Sequence, residues 1–469
     1  MKHKKKKSRA QKPSAWYALP FFAAMAVLTV VAFIIPLRPT QSLSEKRNLA
    51  QFPEFTPQAL ISGSYFDDIN TWFSDTFPGR ESWLEVSAAV SELHGWSDVV
   101  IHGDIQAGDP IPTVPAPGET TTEPAETEPA ETVTEATLPP ETTEAADFPM
   151  ETIPPPTIPI EQWGGVDAGE DAEVYLNSVI QVGDSAFIYF SFSDYYSSRY
   201  AKAVNKFADA VQESGVNVIS AVPPTAVGVM VENEFMAKLK CSPQDQVIDY
   251  INGSLNENVI GLDTYALLVN HNSEYIYFRT DHHWSALGAY YVYRGVCASV
   301  GMDPAALDSF EVLDQGEFKG SLYYKCNQSS RLTLDNVLAY KPAGEITTMI
   351  YNENGYGFAY DAVSDMSKSD LGSKYMGFLA GDHPLVVITN DSIPDAPNCV
   401  LLKDSFGNCF APFLSQNYHN VYVVDYRMYR AMGMTAFVEE FDIRDVIILP
   451  NLSAVQSENV IKLLEYVLR

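Results

Sequence analysis

Val400-Leu401-Leu402-Lys403-Asp404-Ser405-Phe406-Gly407-Asn408 reads as an apolar strand that ends on a serine followed by glycine and asparagine. A run apolar on both faces belongs to a buried strand with helices on either side. Its carboxyl end is where open α/β sheets place ligands. Ser405 is therefore a candidate nucleophile, and its own N–H, that of Gly407 and the Asn408 amide are candidate donors to a developing oxyanion. The plainer alternative is a serine that caps the following helix.

Working outward, similar short Val- and Ile-rich runs recur at 216–222, 259–262, 384–389, 421–424 and 446–449, separated by helical patterns such as 200–213. This alternation predicts an α/β sandwich over 171–469, with a mostly parallel central sheet flanked by helices. A closing helix is expected over 453–468, with Ser453 as its N-cap. Gly183-Asp184-Ser185 reads as a turn, since it stands before the strand-like Ala186–Phe190.

The amino-terminal part differs. A basic cluster (Lys2, Lys4 to Lys7, Arg9, Lys12) over residues 1–14 precedes a run from Ala15 to Leu37 without a charged residue. That length spans a hydrocarbon core as a helix, and the positive flank orients it amino-end in. The run exceeds the apolar core of a cleaved signal, and Arg38-Pro39-Thr40 follows it in place of a small-residue cleavage site. The expectation is a single-pass cell-membrane anchor over 15–37, with the remaining chain outside the cytoplasm. Residues 42–106 carry Phe66, Ile69, Trp72 and Phe73 at helical spacing, then Pro78-Gly79, suggesting two helices. So small an apolar segment needs a partner surface and is expected to dock on the α/β domain.

Residues 107–165 collapse to Thr, Glu, Pro and Ala, a composition that cannot offset its ordering entropy and reads as a disordered linker or insertion. Residues 109–161 hold 12 acidic residues and no Lys or Arg, which accounts for 12 of the net charge of −30. The acidic balance gives no electrostatic case for nucleic acid. Five cysteines, an odd number without C-x-x-C spacing, indicate neither a zinc site nor a disulfide framework. No cofactor is indicated.

A second constellation is Thr280-Asp281-His282-His283-Trp284, after the strand-like Tyr275–Phe278. An Asp two residues before a His can accept its Nδ1 proton and leave Nε2 as a base. The same residues permit two other readings. One is a metal-dependent phosphoesterase with Asp281, His282 and His283 as ligands, although the remaining histidines stand singly. The other is a structural loop in an envelope scaffold or glycan-binding protein, with Trp284 packed or stacked.

Asp281-His282-His283-Trp284, continued by Gly288-Ala289-Tyr290-Tyr291, resembles the signature of the DHHW family, relatives of the SGNH-type alginate O-acetyltransferases. Ser44–Leu49, Phe77–Arg80, Lys403–Asn408, Pro412–Leu414 and Asp425–Arg427 resemble further blocks of that family. The Glu-Asn-Arg order usual in the first block is altered, and Lys403 stands where SGNH enzymes usually carry Gly.

The resemblance implies an SGNH-hydrolase-like fold and a triad of Ser405, His283 and Asp281, with His282 at a variable position. Trp284, Tyr291 and Arg427, all within the matching blocks, are the substrate-binding candidates. The implied activity is acyl, specifically acetyl, transfer to a cell-envelope or secreted polysaccharide, with a multi-span membrane O-acyltransferase as donor partner. Transfer to water would make the protein a carbohydrate acetylesterase. The family's amino-terminal blocks lead directly into the catalytic region, so the Thr/Glu/Pro stretch reads as an insertion within one composite domain.

Overall fold

The computed structural model describes residues 179–469 apart from 327, 353 and 354, together with 41–42, 47–48, 51–53, 65, 69, 72–73, 76, 108–112 and 172–175. The expected anchor over 15–37 and nearly all of the expected linker lie outside these residues. Among the described residues no helix is long and apolar enough to cross a membrane. The chain divides into two compact units, Met1–Ser97 and Asp98–Arg469. Within the first, Gln41–Ser42 pairs antiparallel with Arg47–Asn48, and Phe52 meets Trp72 edge-on at 4.8 Å. The docking expected for 42–106 rests on residues largely outside the described set.

The second unit contains strands β1 (Ala172–Tyr175), β2 (Val179–Val182), β3 (Ser185–Ile188), β4 (Asn217–Ser220), β5 (Val259–Gly261), β6 (Glu311–Phe318) and β7 (Asp335–Lys341). They are followed by β8 (Ile346–Tyr351), β9 (Gly357–Ala359), β10 (Leu385–Asn390), β11 (Asn398–Lys403), β12 (Asn420–Asp425) and β13 (Ile443–Leu449). Eight of them form the central sheet in the order β9-β8-β10-β12-β11-β13-β4-β5. From β12 to β5 every pairing is parallel. The other pairings, β12 with β10, β10 with β8 and β8 with β9, are antiparallel.

The sheet is thus mixed, a correction to the mostly parallel arrangement expected. The antiparallel end was obscured because β8 alternates buried Thr348 and Ile350 with more accessible neighbours, so it lacks the continuous apolar run of a two-sided strand. Two smaller ladders, the β1-β2-β3 meander and the β6-β7 hairpin, lie outside this sheet. The meander turns at Gly183-Asp184 as expected, with Gly183 at a φ of 56°.

Helix α1 (Asp194–Val211) buries Ser197, Tyr200, Ala201, Val204, Phe207, Ala208 and Val211, the spacing of one helical face. It packs with α5 (Met434–Glu440) and α6 (Glu458–Val467). A second group joins α2 (Thr264–Val269), α3 (Ala286–Ser299) and α4 (Gly407–Leu414). In that group Phe413 meets Tyr290, Tyr293 and Phe310 at 5.5, 5.7 and 5.1 Å.

Three local expectations need correction. The closing helix is two pieces, Leu452–Val455 and α6, and its cap is Asn451, whose side chain accepts from the Ala454 N–H. Asn451 thereby satisfies one of the orphan amides of the first turn. Tyr275–Phe278 is no strand: its neighbour is its own return segment, through a single bridge from Tyr277 to Trp284. Residues 108–112, assigned to the linker, are seated on the sandwich. Asp109 donates its N–H to the Phe192 carbonyl at 2.9 Å, and a Cβ on Gly108 would come within 2.5 Å of the Phe192 nitrogen.

Leu402, fully buried in β11, tests the energetic weight of the central strand. Leu402→Ala should lower the unfolding free energy by about 2–5 kcal/mol. Phe358→Ala on the edge strand β9, where the ring is 47% exposed, should change it by less than about 1 kcal/mol. Urea unfolding of both variants measures the contrast.

Candidate functional site

β11 ends at Lys403, and α4 begins at Gly407. Ser405 occupies the turn between them, at the carboxyl edge of the sheet. The turn is built by Asp404, whose Oδ1 accepts the Phe406 N–H at 3.0 Å. Its Oδ2 accepts the Asn451 N–H and Nδ2 amide, each at 2.8 Å, and the Tyr426 hydroxyl at 3.2 Å. A Cβ on Gly407 would lie 2.5 Å from the Lys403 Cβ, so the tight turn requires glycine there.

Asp281 and His283 sit in the loop closed by the Tyr277–Trp284 bridge. The Phe278 N–H donates to the His283 carbonyl at 3.3 Å, and the Ser285 N–H to that of Ile276 at 2.8 Å. The structure brings Ser405, His283 and Asp281 into one hydrogen-bonded chain. His283 Nε2 lies 2.7 Å from Ser405 Oγ, and His283 Nδ1 lies 2.5 Å from Asp281 Oδ1. Asp281 also accepts the N–H groups of His283 at 3.0 Å and Ser321 at 2.7 Å.

Burial alone would raise the Asp281 carboxyl. The charge of His283, then that of His282, and the hydrogen bonds from His283 and Ser321 outweigh it and hold the group well below the usual carboxylate range. Asp281 is thus a fixed anion that orients the imidazole. Partial burial, with the charge of His283 next, pushes the His282 imidazole down to about 3 against the pull of Asp281. Its Nδ1 faces Ser321 Oγ at 2.9 Å, so His282 is a neutral neighbour outside the chain.

Sequence reasoning missed Tyr375 and the partners of Lys403. Tyr375 stacks on the His283 ring at 4.2 Å and 12°, and its hydroxyl donates to the Ser405 carbonyl at 2.9 Å. Burial raises that phenol far above its ordinary value, so it stays neutral. Lys403 is 1% exposed, with Nζ 3.0 Å from Asp425 and 3.3 Å from Asp382. These partners come from elements 22 and 21 residues away, and no local spacing announces them.

Other candidates are placed differently from their expected roles. The Gly407 N–H donates to the Asp404 carbonyl at 3.0 Å, and the Asn408 N–H to that of Ser405 at 3.2 Å. The Asn408 Nδ2 amide is held by Asp382 at 2.9 Å. Of the three oxyanion candidates, only the Ser405 N–H has no acceptor among the described residues. Trp284 is fully buried, with its indole N–H on the Phe406 carbonyl at 2.9 Å, which leaves no face for substrate.

Tyr291 stacks on His271 at 3.4 Å and donates to Glu274 at 2.7 Å. Arg427 pairs with Asp425 at 2.6 Å and Asp382 at 2.8 Å. It lines a groove of about 660 Å³ with Tyr351, Asn352 and Tyr429. A cavity of about 20 Å³ lies against His282 and Phe406, bounded by Phe187, Ile188, Ala226 and Leu322.

Asp281, His282 and His283 also bring three ligand-type atoms within 4.8 Å of one another. Asp281 Oδ1 is turned to His283, His283 Nε2 to Ser405, and His282 Nδ1 to Ser321. That orientation suits a proton relay rather than convergence on one ion.

The Asp-His-His-Trp element so placed falls within a match to the DHHW protein family over residues 45–424. The chain belongs to the DHHW family. A crystal structure of a DHHW family protein from Eubacterium siraeum superposes with a TM-score of 0.56 at 28% identity, covering 63% of this chain and 98% of that one. The structure of Bacillus cereus PatB1 with a sulfonyl adduct gives 0.51 at 17% identity, over 60% of this chain and 97% of that one. A looser likeness, with a TM-score of 0.33 at 12% identity, is to the O-acetyltransferase domain of Pseudomonas putida AlgJ, covering 63% and 98%. No protein of curated function matches the chain. The DHHW match spans the segment before the Thr/Glu/Pro stretch as well as the sandwich up to residue 424.

The depressed His282 gives a linkage test. Below a pH of about 6.5 the unfolded chain protonates this residue, while the folded chain resists until about 3. The unfolded state then holds more protons, so this residue makes folded stability fall as pH drops through that window. His282→Gln should flatten the dependence of unfolding free energy on pH between about 6 and 3.5 by roughly one proton, as read from urea titrations at each pH.

Proposed function

We propose that the chain is an extracytoplasmic, serine-dependent O-acyltransferase that moves a small acyl group, acetyl, onto a polysaccharide hydroxyl. The observation that carries this reading is the Ser405–His283–Asp281 chain, with His283 Nε2 at 2.7 Å from the serine oxygen. As His283 takes the Oγ proton, Ser405 attacks the carbonyl carbon of the acyl donor. Collapse of the tetrahedral intermediate breaks the bond to the leaving group, which receives that proton from His283. A sugar hydroxyl then gives its proton to the same nitrogen and attacks the acyl-enzyme; the acyl–Oγ bond breaks, His283 returns that proton to Oγ, and the new ester leaves with Ser405 restored. Asp281 keeps the Nδ1 tautomer and offsets the imidazolium charge throughout. The unengaged Ser405 N–H is the donor available to the oxyanion.

Membership of the DHHW family and the likeness in fold to PatB1 are compatible with this chemistry. The basic amino terminus and the uncharged run 15–37 support a single-pass membrane anchor with the catalytic domain outside. That placement would let a multi-span membrane acyltransferase supply the acyl group. Transfer to water by the same steps would make the protein a carbohydrate acetylesterase; product analysis with and without a glycan acceptor separates the two.

A fluorophosphonate probe should label the protein, and Ser405→Ala should abolish both labelling and hydrolysis of an acetyl-ester chromogen. Asp281→Asn should keep the fold and lower the rate roughly a hundred- to ten-thousand-fold by favouring the wrong tautomer. His282→Gln should retain far more activity than His283→Gln. Labelling that persists in Ser405→Ala would remove the serine from the chemistry.

A further inference from the structure

We propose that Asp335, brought in by the β6-β7 hairpin outside the central sheet, is a positioning residue that sets the Asp281–His283 loop; its catalytic consequence rests on the serine chemistry proposed above. Asp335 is 1% exposed. It opens β7, fifty-four positions beyond Asp281 in the chain, yet lies under the residues immediately before it. Its Oδ1 accepts the Tyr275 hydroxyl in a short hydrogen bond and the Arg279 N–H at 2.7 Å. Its Oδ2 accepts the Thr280 N–H at 2.7 Å and, again in a short bond, the Thr280 hydroxyl.

Each oxygen takes one backbone N–H and one hydroxyl; burial raises this carboxyl above its ordinary value, and those hydrogen bonds oppose the rise. The same hairpin reaches the loop a second time. The Gly320 N–H donates to Thr280 Oγ1 at 3.1 Å, the Ser321 N–H to Asp281 Oδ2 at 2.7 Å, and the Leu322 and Tyr323 N–H groups to the Thr280 carbonyl at 2.8 and 3.0 Å. A Cβ on Gly320 would sit 2.3 Å from that of Asp281. The backbone at 279–280 is therefore held from both sides, and with it the direction in which Asp281 meets His283.

The two oxygens of Asp335 each take one backbone N–H. An asparagine there must turn its NH₂ against one of those donors whichever way the amide is flipped, and the loop must move to relieve it. Displacing a catalytic group by an ångström or less lowers rates roughly ten- to a hundred-fold.

The test uses the full-length protein with ¹⁵N-labelled histidine, and compares wild type with Asp335→Asn, Thr280→Val and Tyr275→Phe. Wild type should show a downfield, slowly exchanging His283 Nδ1 proton, assigned by its loss in His283→Gln. In Asp335→Asn that signal should shift or broaden, kcat on an acetyl ester should fall roughly ten- to a hundred-fold, and KM should stay nearly constant. The acid limb of the kcat/KM profile should move to lower pH, because a misdirected Asp281 supports the imidazolium less.

Thr280→Val, which keeps the shape but loses both the hydroxyl donor to Asp335 and the acceptor of the Gly320 N–H, should move signal and limb in the same direction and serves where Asp335→Asn does not fold. Tyr275→Phe, which leaves the backbone donors satisfied, should resemble wild type. An unmoved His283 signal and acid limb in the folded Asp335→Asn or Thr280→Val protein would overturn the proposal. Wild type without turnover but with an Asp335-dependent His283 signal would overturn the serine chemistry and leave the positioning role standing.

Discussion

The hydrogen bond from the Trp284 indole to the Phe406 carbonyl joins two loops 122 residues apart in sequence, and the candidate site depends on that join. One loop carries Asp281 and His283, and the other carries Ser405. A serine–histidine hydrogen bond tolerates only a few tenths of an ångström, and separate loops do not hold such a distance unaided. Trp284 supplies the rigidity because it is fully buried and its only polar atom is committed to the partner loop. Its neighbours Phe406 and Phe410, with ring centroids at 5.5 and 6.3 Å, continue the same packing into α4. A residue that looked available for stacking on substrate is instead the bolt between the two halves of the site.

Among the described residues the most deeply buried carboxylates are all paired. Asp281, Asp335, Asp404, Asp425 and Asp445 are all almost completely buried, and each takes several donors or a cation. Asp404 shapes the serine turn through Phe406, Asn451 and Tyr426. Asp425 sits between Lys403 and Arg427 at the ends of β11 and β12. Removing one partner of such a pair leaves an uncompensated buried charge, which costs far more than an exposed pair contributes. Lys403 therefore ties the end of β11 to the loop at Asp382, which in turn holds Asn408. Asn408 is thereby fixed as part of the scaffold beneath the serine.

Much of this was legible in the chain itself. The run 400–408 announced a buried strand ending on a serine because β11 is covered on both faces, which forces apolar residues at consecutive positions. Asp281-x-His283 announced an oriented imidazole because two residues suffice for a side chain to reach back within one loop. The antiparallel strands β8 and β9, the β6-β7 hairpin and the split closing helix were not legible. β8 carries Thr348 on its buried side and β9 is exposed along its length, so neither shows a clean alternation, and the helix break falls at Gln456 and Ser457, where the Gln456 side chain is bonded to Ser193 and Ser197.

The sequence by itself determined which groups could do chemistry and which segments would be buried strands or helices, because both follow from residue type and short-range spacing. Only the tertiary structure decided how those groups are used. It set Ser405 against His283, stacked Tyr375 on that imidazole, turned the Gly407 and Asn408 amides to partners within the protein, and brought Asp335 beneath the Asp281 loop. These contacts join residues far apart along the chain. Their distances are fixed by how whole elements pack against one another, and local composition does not encode that.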